Sequence, residues 1–74
     1  MFGENIKRYR LLKGMSLRDF GEAVNMSQTA IQKYEKGIIT PDGEKLILFA
    51  NVLECSVLDL VKDNSSSSIP WINS

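Results

Sequence analysis

Four residues suited to start a helix, Ser16, Ser27, Asp42 and Ser56, divide this 74-residue chain into short segments, and none of the segments alternates as a strand would. A chain punctuated this way can only stack short helices. Phe2 to Lys13 reads as the first, with Phe2, Ile6, Arg10 and Lys13 on one seam, and Gly14 ends it. Ser16 opens the second with Asp19 three residues on, a capping box using the shorter acid, and Phe20 and Val24 form its buried side. Asn25, which tolerates a left-handed backbone, turns the chain, and Ser27 caps a third helix that Gly37 closes. After the loop containing Pro41, Asp42 starts a fourth helix with Leu46, Phe49, Ala50 and Leu53 at helical spacing. Ser56 with Asp59 repeats the box for a short fifth helix containing Val57, Leu60 and Val61. The expected fold is all-α: one compact bundle of five helices in residues 1–63, followed by a Ser-rich linker or flexible tail in residues 64–74.

Composition narrows the function. Hydrophobic residues make up 43% and charged residues 24%, enough apolar surface for one small core. With no histidine and one cysteine the chain has no internal disulfide and no ordinary His/Cys zinc site, so no cofactor and no metal are expected. Cys55, among Leu53, Val57 and Leu58, reads as a small buried hydrophobe. Ser16 and Ser27 have no histidine to activate them, so an enzyme is not expected. No apolar run reaches the roughly 18 residues of a membrane span and the N-terminus lacks a signal-peptide core, so a cytoplasmic protein with no membrane partner is expected.

The net charge is zero, but it is unevenly placed. Residues 1–36 hold seven Lys/Arg and four Asp/Glu, a net +3, and the remainder holds two and five, a net −3. A polyanion would meet the N-terminal half.

The third helix, within MSQTAIQKYEKG, concentrates the chemistry. Ala30, Ile31 and Tyr34 face inward, leaving Gln28, Thr29, Gln32, Lys33 and Lys36 on the other faces. Two short helices joined by a tight turn, with a polar outer face at the start of the second, suit the major groove of DNA. A base-pair edge presents paired donors and acceptors. A glutamine amide matches adenine there, and a threonine methyl meets the thymine methyl. Gln28, Thr29, Gln32 and Lys33 are therefore the candidate base readers. Ser16, Arg18, Ser27 and Lys36 are candidate phosphate contacts, although the cations are also what an ordinary solvated surface carries.

The segments MSLRDFGEAVNMSQTAIQKYEKG, TPDGEKLILFANVL and SVLDLV, in that order and spacing, resemble the lambda repressor/Cro-like, or XRE-family, helix-turn-helix domain over Phe2 to Val61. The resemblance implies five helices, with helices 2 and 3 as the helix-turn-helix, and a homodimer on a double-stranded DNA operator. It places Ser27, Gln28, Thr29, Gln32 and Lys33 against DNA, Ile31 as an anchor, and Arg10 with Glu35 as a structural ion pair. The chain departs from the family at Leu17, where Gln is frequent, at Gly21, where Ala is usual, and at Asn25 and Glu54, where turn glycines are usual.

The implied function is sequence-specific transcriptional regulation, as a repressor. Two alternatives stay open. Ile47, Leu48 and Val52 exceed what the core stripe of the fourth helix needs, as in a protein-interaction module. SLRDFGEAV and IQKYEKGIITPD also resemble regulatory heads of larger proteins with a metallopeptidase-type domain, which would leave a C-terminal domain beyond the Ser65 to Ser68 tether.

Overall fold

A computed structural model describes residues 2–62. Those residues form five helices: α1 Phe2–Leu12, α2 Leu17–Ala23, α3 Gln28–Glu35, α4 Gly43–Leu53 and α5 Val57–Val61. No strand occurs among them. Asp63, the tail of residues 64–74, its Ser65 to Ser68 tether and Trp71 lie outside the described residues.

The caps work as the residue types require. Ser16, Ser27, Asp42 and Ser56 each accept a hydrogen bond from the backbone N–H three residues on, and Ser16 with Asp19 and Ser56 with Asp59 complete reciprocal boxes. Helix ends share a device as well. Gly14, Asn25, Gly37 and Glu54 are left-handed, with φ of 72°, 60°, 77° and 57°. In each case the following N–H reaches back five residues: Met15 to Arg10 O, Met26 to Gly21 O, Ile38 to Lys33 O and Cys55 to Ala50 O, at 2.8–3.0 Å. At three of these turns the residue after the left-handed one, Met15, Met26 or Cys55, packs partly against the core, and the next residue is the serine cap of the following helix.

This repeated turn accounts for two sequence expectations. Cys55 is half-buried rather than fully buried, because it plugs the α4–α5 turn at the edge of the core; burial raises its thiol pKa. Glu54 occupies a left-handed position that costs a side chain about 1–2 kcal/mol, and its carboxylate meets Lys13 Nζ at 2.7 Å.

Ile6, Phe20, Val24, Ile31, Tyr34, Phe49, Ala50, Leu53 and Leu60 make the core. Phe49 from α4 meets Phe20 from α2 and Tyr34 from α3 edge-on, with centroids 5.2 and 5.3 Å away, so three helices lock at one aromatic junction. Val52 joins the partly buried packing around the core, whereas Ile47 and Leu48 are exposed. The α5 end is tied from across the chain: the buried Asn5 side-chain amide donates to the carbonyls of Leu60 and Lys62. Asn5 therefore supplies partners to carbonyls that a helix end cannot satisfy itself.

Candidate nucleic-acid interface

Three contacts set the position of α3. The first is the turn from α2, where the peptide oxygen of Met26 lies so near Gly21 that a Cβ built there would sit 2.6 Å from it. Alanine does not fit this site without a backbone shift. The second is at the far end, where a Cβ on Gly3 of α1 would fall 2.2 Å from the Glu35 carbonyl oxygen, so α1 crosses the end of α3 in backbone contact. The third is a side-chain bracket. Arg10 donates from Nε to Glu35 Oε2 at 2.7 Å, from Nη2 to Oε1 at 3.2 Å and from Nη1 to the Met15 carbonyl at 2.8 Å. Its guanidinium fork thus joins α1, the turn before α2 and the last residue of α3, with both side chains largely buried.

Held this way, α3 buries Ile31 and Tyr34 and turns Gln28, Thr29, Gln32 and Lys33 to solvent. The amides of the two glutamines lie on the outer side of a helix whose inner side is locked. The Ser27 hydroxyl is occupied by the Ala30 N–H, leaving the earliest amides of α3 without an intrahelical carbonyl. Lys36, just past α3, is exposed.

At α2 the arrangement differs. Ser16 gives its N–H to Asp19 Oδ2 at 3.1 Å, so the carboxylate already takes the Ser16 amide at that helix start. The backbone hydrogen bond from Ser16, then the Ser16 hydroxyl, hold the Asp19 carboxyl below the usual carboxylate range. Arg18 turns along its own helix to Glu22, at 3.2 Å, on the exposed side.

Gly3, Asn5 and Lys7 escape the sequence reading. Gly3 carries a signal, since glycine inside a helix costs about 1 kcal/mol and needs a reason. Asn5 carries none, because its partners are 55 and 57 residues away.

Two concavities flank α3. The larger, about 410 Å³, lies between the start of α1 and the end of α3 and touches none of the four candidate base readers. The smaller, about 190 Å³, borders Gln32. Among the described residues no group of acids and cysteine could hold a metal ion, and no helix is long and apolar enough to cross a membrane.

Comparison with known proteins agrees with this geometry. A family model described as helix-turn-helix matches residues 6–60. The uncharacterized HTH-type transcriptional regulator YqaE of Bacillus subtilis is 30% identical over 69 residues, covering 93% of this chain and 60% of that protein. A putative HTH-type transcriptional regulatory protein of Methanobrevibacter smithii is 30% identical over 74 residues, covering 96% of this chain and 24% of that protein. The chain thus spans less than two thirds of either curated relative. A solved structure titled as a complex of the SinR and SinI proteins superposes with a TM-score of 0.79 at 26% identity, covering 99% of this chain and 75% of that one. By sequence and by its five-helix lambda-repressor-like fold, this chain belongs to the helix-turn-helix family of DNA-binding domains found in transcriptional regulators.

Proposed function

We propose that this chain recognises a specific double-stranded DNA sequence by laying α3 in the major groove, and that it represses transcription from the cytoplasm as a homodimer. The outward row of Gln28, Thr29, Gln32 and Lys33 on a bracketed helix carries the reading. A base edge is discriminated only by a side chain held in register, and Arg10, Gly3 and Gly21 supply that register. Ser16, Arg18, Ser27 and Lys36 serve the phosphates, with Ser27 better placed than Ser16 because Asp19 competes at the α2 start. Two copies would read half-sites about 34 Å apart, or a multiple of that distance.

Selection of bound duplexes from a random pool at two salt concentrations tests this. A common sequence should emerge at both, more sharply at the higher. A pool that stays random while the protein remains folded rejects the proposal.

A second reading rests on the exposed Ile47 and Leu48 of α4 and Val57, Leu58 and Val61 of α5. An apolar surface of this kind serves a protein contact, either the second copy or a different chain. The matched structure is itself a complex of two proteins. Because the match covers only 60% and 24% of the two curated relatives, the chain also suits the role of a DNA-binding head of a larger protein. Loss of a protein contact in Leu48→Glu, with no duplex enriched, would favour the interaction module over DNA reading.

A further inference from the structure

Lys7 projects from α1 one turn before Arg10 and lines the 190 Å³ notch together with Leu17, Gln32 and Lys36, over the Arg10–Glu35 pair. The structure sorts its cations sharply. Arg10, Lys13, Arg18, Lys45 and Lys62 all make ion pairs with carboxylates, and Arg8 lies over the Tyr9 ring at 5.2 Å, whereas the lysines Lys7, Lys33 and Lys36 make no ion pair among the described residues. Two of these three lysines border the notch, and the third belongs to the outer face of α3. Beneath them the one acid of the lining, Glu35, has both oxygens engaged by Arg10, so it offers little repulsion to an anion. The lining is left with a formal charge of +2, from Lys7, Arg10 and Lys36 against Glu35.

We infer that this notch seats a backbone phosphate of the bound duplex, gripped by Lys7 from α1 and Lys36 from the end of α3. The inference rests on the DNA-reading proposal and adds a contact from a helix outside the helix-turn-helix. Its volume, several times the roughly 30 Å³ that one water occupies in the liquid, accommodates a phosphate group with a bridging water. Gln32 lines the notch and also faces outward beside Gln28, so a phosphate seated there would set the distance from backbone to base edge. The two lysines approach from different helices. They would therefore fix the tilt of α3 in the groove as well as its attraction to DNA.

The test is a salt titration of binding by the whole 74-residue chain to its selected duplex and to a scrambled one. Lys7→Ala should weaken both duplexes several-fold at low salt. It should reduce the slope of log affinity against log salt by about 1, as expected for one lost phosphate contact, and leave the thermal midpoint unchanged. Lys7→Arg should restore the slope, and Lys13→Ala, whose amine is engaged by Glu54, should leave it unchanged. If Lys7→Ala keeps the wild-type slope and affinity while the wild type binds its selected duplex, the notch is not a phosphate seat but the DNA reading stands. If the wild type selects no duplex, both ideas fall.

Discussion

The face built on α3 and the face built on α4 and α5 share one core but differ in almost everything outside it. On α3 the outward residues are amides, a hydroxyl and a lysine, and the helix behind them is fixed by a buried ion pair and two backbone contacts. On α4 and α5 the outward residues include Ile47 at 56% exposure and Leu58 at 67%, and the last helix is five residues long, tied at its end by Asn5. On the proposed reading the contrast is a division of labour: a surface that would read hydrogen-bond patterns is held rigid, whereas a surface that would only exclude water needs apolar area and little precision.

The largest effect should come from removing the α3 bracket. Glu35→Ala strands the Arg10 guanidinium in a largely buried site, with an expected loss of about 3–5 kcal/mol in urea unfolding. Leu58→Glu, on the opposite face, should change monomer stability by less than about 0.5 kcal/mol. A loss at Glu35 no larger than that at Leu58 would erase the distinction between a held face and a merely built one. Leu58→Glu should instead act on assembly, shifting sedimentation toward the single chain. An unchanged sedimentation profile would remove α5 from the proposed dimer contact.

Next in size is Gly3→Ala, which pushes a methyl onto the Glu35 carbonyl and should cost about 1–3 kcal/mol through overpacking. If α1 sets the pose of α3, the variant should also lose sequence discrimination at temperatures where it is still folded. Discrimination equal to wild type would mean that the Arg10 fork alone suffices. Gln28→Ala should cost about 1–3 kcal/mol of preference at one base position without altering stability, because Gln28 is exposed. Equal losses on every sequence would make Gln28 a backbone contact.

These contrasts also show which features the sequence exposed. Helix starts were legible because a cap is a local event: Ser16, Ser27, Asp42 and Ser56 each bond three residues away, within one turn. Asn25 was legible for the same reason, since a left-handed residue between two short helices leaves few side chains to choose from. Once α3 was placed, periodicity alone turned Gln28, Thr29 and Gln32 outward. The tertiary partners were harder to see. Nothing near Asn5 announces that it will cap a helix 55 residues away, and Lys7 looks like any surface lysine until α1 is laid beside α3. Cys55 reads as deeper than it lies because its neighbours in sequence are apolar, whereas its neighbours in space include the exposed rim of a turn.

The smallest effect compares the two faces through their shared capping boxes. Asp19 at α2 and Asp59 at α5 are both held below the usual carboxylate range, each by a serine backbone N–H first and the serine hydroxyl second. A carboxyl whose folded pKa is depressed contributes stability that is present above its unfolded pKa and is lost as pH falls through the folded value. Both boxes should therefore weaken only at the acid end, and Asp19→Asn or Asp59→Asn should each flatten the acid limb of stability against pH. Their local consequences should differ. The α2 start adjoins the bracketed turn at Met15, whereas the five-residue α5 is held by Leu60 in the core, by Asn5 at its end and by the exposed Lys62–Asp59 pair, so amide exchange in acid should rise earlier along α5 than along α2. Equal rise in the two helices would show that the bracket on α3 does not extend its rigidity to α2, and the held face would then shrink to α3 alone.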